Sequence, residues 1–297
     1  MRIAVTGSTG LIGSALATAL GDAGHEVVRV VRGDAGPHDV HWDPAAGSID
    51  AARLAGIDAA VHLAGASILR RWTPAGKAAV LDSRVQGTSL LARTLAALDP
   101  APKVLVSGSA IGWYGVRGAE ELDESSRPGS GFLADVCRQW EAAAAPAQEA
   151  GIRTVFARTG VVQSGHGGAL KPQKLVWSLG LGGRLGDGRQ YVSWISLDDE
   201  VGALVHALTA DGLEGPVNLT APAPATNAEF TRSLGRALHR PTPMVVPAFA
   251  LRTVLGAELA DQMLLGGQRV LPHALEASGY TFRHRDLDSC LADVVHR

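Results

Sequence analysis

The feature that most constrains the fold is a glycine triplet near the start of the sequence. Gly7, Gly10 and Gly13 stand in the run TGSTGLIG, directly after the apolar residues 3–6 and before a helical stretch. In such a loop the first glycine permits a tight turn, the second lets a pyrophosphate approach the backbone, and the third lets helix and strand pack closely. The first turn of the helix offers its unpaired N–H groups to the phosphates. The predicted dinucleotide contacts in this loop are Gly7, Thr9, Gly10, Leu11, Ile12 and Gly13.

Beyond the loop, short apolar runs alternate with amphipathic stretches, a pattern typical of a parallel sheet covered by helices. Strands are predicted over residues 3–6, 26–31, 59–63, 103–107 and 154–157, and helices over 11–23, 74–98 and 132–150. The predicted fold class is α/β, with a Rossmann-type, doubly wound and mostly parallel sheet and a smaller mixed C-terminal region. We expect a dinucleotide-binding domain over residues 1–162. A substrate-side region is expected over 163–297, with a small helical domain from about residue 247.

The residue after the second predicted strand indicates which dinucleotide is bound. Loops that prefer NAD usually place Asp or Glu there, where it binds the ribose 2′-hydroxyl. Here the run VVRVV at 27–31 is followed by Arg32. A guanidinium group can hold a 2′-phosphate with paired, charge-assisted hydrogen bonds, whereas a carboxylate would repel it. The sequence therefore favours NADP(H), with Arg32 as an exposed solubilising residue the alternative.

Two further runs complete a family resemblance: VHLAGA at 61–66 and VSGSA at 106–110. With the glycine loop in front of them, the chain resembles the extended short-chain dehydrogenase/reductases. It is most similar to an atypical subgroup of epimerase-family, nucleoside-diphosphate-sugar epimerase-like proteins that carry a small C-terminal domain of undefined function. The segments that resemble this subgroup are RWT at 71–73, DSR at 82–84, WEAA at 140–143, RTGVV at 158–162, LGLGG at 179–183, SWI at 193–195 and GGQRVLP at 266–272.

The resemblance implies further cofactor contacts. It implies that Leu63, Ala64 and Gly65 line the ribose and adenosine side of the cofactor. An open α/β sheet presents its ligand crevice at such a strand end, so this expectation also follows from the residues. The resemblance further implies that Arg84 approaches the cofactor and that Val162 lies near the nicotinamide, although Arg84 could equally be a surface charge of a helix. Ser107 completes the predicted cofactor-binding set.

The chain departs from the family at the residues that carry out proton transfer. Typical members use a Tyr four residues before a Lys, and the Tyr exchanges a proton with the substrate oxygen. If Glu141 is aligned with the glutamate after that motif, Leu133 takes the Tyr position and Cys137 the Lys position. Neither side chain can replace them, so the sequence predicts a non-standard active site.

Two residues are candidates for catalytic roles, Ser109 and Tyr114. Ser109 matches the family's substrate-orienting serine, although it could equally close a strand end. Tyr114 is a candidate proton donor, but a phenol with an unassisted pKa near 10 is a poor acid at neutral pH, which favours an aromatic wall instead. Between residues 166 and 193 four cations, Lys171, Lys174, Arg184 and Arg189, oppose the single acid Asp187, a pattern that suits an anionic substrate or an ordinary basic loop.

Composition and charge restrict the classes of binding partner and the cellular compartment that we expect. The net charge of −2 gives no support to a nucleic-acid or anionic-membrane partner. Cys137 and Cys290 are too few for a disulfide scaffold, and the chain shows neither an export signal at its start nor an apolar run of about 20 residues. The cysteines and histidines lack zinc spacing, so no metal site is predicted. We expect a cytoplasmic protein with a small-molecule substrate.

Two functions follow from these observations. The first is an NADP(H)-dependent oxidoreductase or epimerase-like enzyme acting on an anionic, sugar-nucleotide-like small molecule. The second is a catalytically inactive sensor or regulatory protein that keeps the cofactor site, for which the missing Tyr–Lys pair is the argument. We favour the enzyme, because a lost motif leaves room for a substituted mechanism.

Overall fold

A computed structural model describes residues 1–168, 170–178 and 182–296, so residues 179–181 of the family-like segment 179–183 lie outside it. The chain forms two compact units. Unit 1 comprises Met1–Ala110, Val136–Arg158 and Val201–Val217, and unit 2 comprises Ile111–Asp135, Thr159–Glu200 and Asn218–Arg297. The two units thus alternate along the chain, whereas the sequence predicts two contiguous segments that meet at residue 162.

The main sheet has eight strands and lies in unit 1 apart from the last residues of two of them. Its strands are β1 (Arg2–Thr6), β2 (Glu26–Val31), β3 (Val40–Asp43), β4 (Ser48–Ile49), β5 (Ala59–His62), β6 (Val104–Ala110), β8 (Arg153–Thr159) and β13 (Gly215–Leu219). The remaining strands belong to two-stranded sheets and are β7 (Glu121–Leu122), β9 (Val161–Gln163), β10 (Gly183–Leu185), β11 (Tyr191–Val192), β12 (Trp194–Ser196), β14 (Ala225–Thr226), β15 (Met244–Val246) and β16 (Arg269–Val270).

Strand order confirms the predicted fold class. The order β13-β8-β6-β5-β1-β2-β3-β4 places β1 near the centre. It pairs in parallel with β2 on one side and with β5 on the other, with Thr6 opposite both Val30 and His62. The sheet therefore changes direction between β1 and β5, and in a doubly wound sheet this is the point where a crevice opens at the strand ends.

The helices are α1 (Leu11–Asp22), α2 (Pro74–Ala96), α3 (Phe132–Ala142), α4 (Ala145–Glu149), α5 (Leu170–Ser178), α6 (Leu197–Thr209), α7 (Asn227–Ala237), α8 (Ala248–Leu255), α9 (Ala257–Ala260), α10 (His273–Ala277) and α11 (Leu287–Val294). The stretch predicted as one helix over 132–150 is two, because Pro146 stands in the first turn of α4. Proline has no N–H to donate and its ring clashes with the preceding turn, so it begins a helix more readily than it continues one. None of the described helices is both long and apolar enough to cross a membrane.

Three strands of the main sheet were not predicted, and their sequences explain why. The hairpin β3–β4 is short and half exposed, with Gly47 at a positive φ of 68° in its turn. Strand β13 contains Pro216, which normally argues against a strand. Here β13 is the edge strand of the sheet, where a missing backbone N–H is tolerated.

The core of unit 1 lies between the sheet and the helices. It joins strand residues such as Val28, Val30 and Leu105 to Leu91 and Leu95 of α2, all of them buried. In unit 2 a separate core surrounds Trp194, with Phe230, Leu234 and Leu291 among its members. Both cysteines are buried and free.

Unit 2 contains a reciprocal hydrogen-bonded cap at the start of α6. The Ser196 hydroxyl donates to Asp199 Oδ2 at 2.7 Å, and the Asp199 N–H donates back to Ser196 Oγ at 3.0 Å. The same carboxylate also accepts the backbone N–H groups of Arg283 and His284, at 2.7 Å and 3.0 Å. Asp199, in the first turn of α6, thus completes the cap of that helix and also holds the segment before α11. The box at Thr226 and Glu229 is likewise complete.

Glu200, the next residue of α6, is a buried acid in unit 2 with one hydrogen bond. Thr159 Oγ1 donates to its Oε1 at 2.8 Å, and its Oε2 has no partner among the described residues. Burial raises the pKa of Glu200 to about 8, although the hydrogen bond from Thr159 opposes this shift. The side chain is therefore largely protonated at neutral pH.

The raised pKa predicts how Glu200→Gln changes stability. Since the folded pKa lies above the unfolded one, the native protein loses stability as pH rises from about 5 through 8, by about 1.4 kcal/mol per pH unit at most. Glutamine has no proton to lose, so the variant should gain on the native protein by a few kcal/mol between pH 5 and pH 9. Denaturant unfolding across this pH range measures the difference, with Glu149→Gln on the exposed end of α4 as the control. A difference that does not change with pH would contradict this account.

Candidate dinucleotide-binding site

A cleft of about 480 Å³ opens in unit 1 at the carboxyl ends of β1, β2 and β5. We call it the strand-end cleft. Its lining residues are Gly7, Ser8, Thr9, Gly10, Arg29, Val30, Val31, Arg32, Gly33, Asp34, Asp39, Trp42, Leu63, Ala64 and Gly65. Seven predicted cofactor residues therefore line one cleft: Gly7, Thr9, Gly10, Arg32, Leu63, Ala64 and Gly65.

The three glycines of the loop have different constraints. Gly7 has φ +68°, and a Cβ there would lie 2.8 Å from the carbonyl carbon of Leu63. A Cβ on Gly13 would lie only 2.2 Å from the Gly7 carbonyl oxygen. The nearest atom to a Cβ on Gly10 is the same oxygen, at 3.3 Å, and the backbone of Gly10 is extended. The fold itself thus requires glycine at positions 7 and 13, while at position 10 an added side chain would mainly fill the cleft.

A buried hydrogen-bond network fixes the two strand ends beneath the cleft. Thr6 Oγ1 accepts the backbone N–H groups of Leu63 and Ala64 at 3.1 Å and 3.2 Å, and lies 2.8 Å from His62 Nδ1. Because both acceptor positions of the hydroxyl are used, its proton goes to Nδ1 of a neutral His62. Burial lowers the pKa of His62 to about 4, with a further contribution from the charge of Arg84. The network therefore holds residues 63 and 64 in place at neutral pH.

The residues at the loop fit a dinucleotide phosphate. Helix α1 begins at Leu11 with Gly10 as its N-cap, so the N–H groups of Leu11, Ile12 and Gly13 have no partner within the helix. No side-chain oxygen caps this helix end. The hydroxyl of Ser8 is buried beside the cleft and makes no hydrogen bond to the described residues. Unpaired donors around a groove kept open by glycine are what an anionic phosphate requires.

The end of β2 supplies two arginines and two aspartates. Arg32, the residue predicted to hold a 2′-phosphate, lines the cleft, and it makes no hydrogen bond or ion pair with any described residue. Sequence reasoning missed Arg29, Asp34 and Asp39. A signal for Arg29 was present, because it is the one charged residue within a run of valines.

Six predicted cofactor residues do not line the strand-end cleft: Leu11, Ile12 and Gly13 of α1, and Arg84, Ser107 and Val162. Arg84 Nη1 donates to the carbonyl oxygens of Ala66 and Val80, both at 3.0 Å, and its guanidinium lies 4.9 Å from the centre of the Trp140 ring. It lies directly behind the cleft wall, since a Cβ on Gly65 would be 3.2 Å from its Cζ. Ser107 is buried in β6, and Val162 lies in unit 2, paired with Ile195.

Ser109, at the end of β6, belongs to a buried charged cluster in unit 1. Its hydroxyl donates to Glu141 Oε1 at 2.6 Å. Arg158 donates to both oxygens of the same carboxylate, at 2.8 Å and 2.9 Å. A paired, hydrogen-bonded charge of this kind tolerates burial. Sequence reasoning missed the cluster, because its members are far apart along the chain and only the folded structure brings them together.

Tyr114 is buried inside unit 2 and does not reach the surface. Its side chain has 0% exposure and its hydroxyl donates to Asn218 Oδ1 at 2.7 Å. An aromatic wall needs an exposed ring face and a proton donor needs a free hydroxyl proton, and in this conformation the Tyr114 ring is fully buried and its proton is donated to Asn218. Cys137, at the position of the family's Lys, is a buried thiol whose pKa burial raises to about 12. It therefore supplies no charge at neutral pH.

The basic segment 166–193 forms local contacts within unit 2. Lys174 Nζ donates to the Val295 carbonyl oxygen and Arg184 Nη1 to that of Asp187, both at 2.7 Å. The side chain of Lys171 lies outside the described part of the structure. These contacts do not by themselves define an anion site.

Fold and cleft together define a protein of the Rossmann class, and sequence comparison gives its family. The sequence model of the "NAD dependent epimerase/dehydratase family" matches residues 3–219. A second model, "Domain of unknown function (DUF1731)", matches residues 246–294. The chain therefore belongs to the NAD dependent epimerase/dehydratase family, as the sequence resemblance indicated.

Relatives match along the whole chain. Epimerase family protein Mb2239 of Mycobacterium bovis is 48% identical over 99% of this chain and 98% of its own length. Human epimerase family protein SDR39U1 is 39% identical over 99% of this chain and 100% of its own length. A crystal structure of the human protein (isoform2) with NADPH superimposes with a TM-score of 0.92, covering 100% of this chain and 99% of that one at 38% identity. The cofactor in that structure is the one predicted here from Arg32.

The different constraints on the glycines predict two distinct mutant phenotypes. Gly10→Val should leave the free energy of unfolding within about 1 kcal/mol of the native value and abolish binding of both NADPH and NADH. Gly13→Ala should destabilise the protein by about 1–3 kcal/mol, because its methyl group overlaps the Gly7 carbonyl. Denaturant unfolding and nucleotide fluorescence titration measure the two effects. Unchanged affinity in Gly10→Val would refute the assignment of the loop.

Proposed function

We propose that this chain binds NADP(H) in the strand-end cleft and is an oxidoreductase or epimerase-like enzyme of its family. The observation that carries the cofactor proposal is the cleft itself. The cleft is lined by the glycine backbone at the start of α1, which would hold the pyrophosphate, and by the strand end 63–65, which would hold the ribose. It is also lined by Arg32, which has no partner among the described residues. The human relative with NADPH supports the same choice of cofactor.

Arg32 is the group we assign to the 2′-phosphate. Its guanidinium is available, because no described residue binds it. A phosphate contact through paired, charge-assisted hydrogen bonds would distinguish NADPH from NADH, which lacks that phosphate. The predicted alternative, an exposed solubilising arginine, makes no such distinction.

The nicotinamide ring, when bound, supplies a hydride donor or acceptor, and this chain supplies the orientation of the substrate. We assign that task to Ser109. Since its proton is donated to Glu141, the remaining capacity of its oxygen is to accept a hydrogen bond, for example from a substrate hydroxyl. Arg158 fixes Glu141 and so fixes the serine. A small anionic substrate of the sugar-nucleotide type is consistent with the family's epimerases.

Replacing Arg32 with Asp tests the cofactor assignment. The change removes a charge-assisted phosphate contact and adds a repulsion, so NADPH binding should weaken by at least ~1–2 kcal/mol. NADH binding should change little. Fluorescence titration of both nucleotides against the native and variant proteins gives the comparison, and equal losses for the two nucleotides would exclude the 2′-phosphate role.

Turnover tests the enzymatic part of the proposal. NADPH oxidation should be detectable with a member of a panel of carbonyl compounds and nucleoside-diphosphate sugars. Ser109→Ala should lower kcat/KM about tenfold by removing one orienting hydrogen bond, while the NADPH dissociation constant stays unchanged. Silence of the folded, NADPH-loaded protein across the panel would count against an enzyme. Cofactor-dependent capture of a macromolecular partner would then support the regulatory alternative.

A further inference from the structure

The strand-end cleft contains a second arginine whose position is set by a buried acid. Arg29 lies within β2, and its side chain is half exposed and lines the cleft. Asp39 immediately precedes β3, and because Val30 pairs with Val40, the two residues lie side by side on neighbouring strands. Only 7% of the Asp39 side chain is exposed.

The contact between them is a two-point ion pair. Arg29 Nε donates to Asp39 Oδ1 at 2.9 Å, and Nη2 donates to Oδ2 at 2.7 Å. The backbone N–H of Gly36 also donates to Oδ2, at 3.0 Å. Burial alone would raise the pKa of Asp39, but the hydrogen bonds from Arg29 and Gly36 hold it below its ordinary value. The acid is therefore ionised and its charge is matched by Arg29.

This geometry leaves part of the guanidinium available. Of its five N–H groups, Asp39 takes one on Nε and one on Nη2. Among the described residues, the other three, two on Nη1 and one on Nη2, have no partner. A planar guanidinium held along one edge presents its remaining donors in a fixed direction, which suits a phosphate oxygen pair.

We propose that Arg29 is a second ligand of the NADPH 2′-phosphate beside Arg32, and that Asp39 is the positioning residue that orients it. The inference rests on the proposed NADP(H) function. The proposal predicts an effect of Asp39 on NADPH affinity opposite to that expected from its negative charge alone. An acid in a phosphate site ordinarily weakens binding, whereas Asp39 strengthens it by fixing Arg29.

A pair of Asp→Asn variants distinguishes an acid that repels the phosphate from an acid that positions Arg29. Asp34 also lines the cleft, is exposed, and makes no ion pair with the described residues. Asp34→Asn should leave NADPH affinity unchanged or increase it, because only a repulsive charge is removed. Asp39→Asn should weaken NADPH binding several-fold, because Arg29 loses its anchor. The sign of the change thus distinguishes positioning from repulsion.

The experiment is titration of the full-length protein with NADPH and with NADH. Arg29→Met should raise the NADPH dissociation constant at least about tenfold and leave that of NADH within about twofold. In the Arg29→Met background, Asp39→Asn should cause no further loss of NADPH affinity, since its effect acts through Arg29. NADH affinity and thermal unfolding report whether each variant is folded. If Asp39→Asn does not fold, Arg29→Met still tests the proposal, because the side chain of Arg29 is half exposed and its replacement disturbs the core little.

Three results would overturn the proposal. One is an equal effect of Arg29→Met on both nucleotides, another is tighter NADPH binding in Asp39→Asn, and the third is full NADPH selectivity in Arg29→Met. If selectivity survives Arg29→Met but is lost in Arg32→Asp, the proposed function stands and only this inference fails. If the native protein shows no preference for NADPH, both fail.

Discussion

The rest of the site depends on the close packing of backbone where β1 ends. The backbone of residues 63 and 64 leaves no space for a side chain at Gly7, and the Gly7 carbonyl leaves none at Gly13. Gly13 brings α1 against the same carbonyl, so the helix N-terminus and the strand ends meet at one groove. Thr6 ties the two strands together from below through the N–H groups of Leu63 and Ala64. The Thr6 hydroxyl in turn donates a hydrogen bond to Nδ1 of a neutral His62. The groove is thus set by backbone packing and one buried network before any ligand enters.

Local sequence predicted the strand–glycine–helix arrangement at residues 3–13 well, because every requirement there is local. A strand, three spaced glycines and a helix are adjacent in the chain, and Arg32 follows the next strand. The hairpin β3–β4 and β13 were harder, since the first is short and half exposed and the second contains Pro216, whose position is acceptable only at a sheet edge. The break between α3 and α4 was visible in principle at Pro146. Where a strand lies in the sheet is a tertiary property that periodicity does not report.

The charged groups of the site were predicted less completely, because their partners come from other segments of the chain. Arg29 meets Asp39 only because β2 and β3 pair, and Ser109 meets Glu141 and Arg158 only through packing of β6, α3 and β8. The chemistry of Ser109 changes with this partner, because a hydroxyl that donates to a carboxylate can serve a substrate as an acceptor. Tyr114 shows the opposite limit, since an aromatic near a strand end gave no sign that it would be fully buried and bound to Asn218. Tyr114 therefore does not replace the tyrosine of the missing Tyr–Lys pair in this conformation.

The central claim is that the strand-end cleft selects a 2′-phosphorylated dinucleotide. The most direct test is the ratio of dissociation constants of the native protein for NADH and NADPH, measured by titration at one pH and one low ionic strength. The account predicts that NADPH binds at least about tenfold more tightly, and that added salt reduces this preference because charged contacts are screened. Equal affinities, or a preference for NADH, would contradict it.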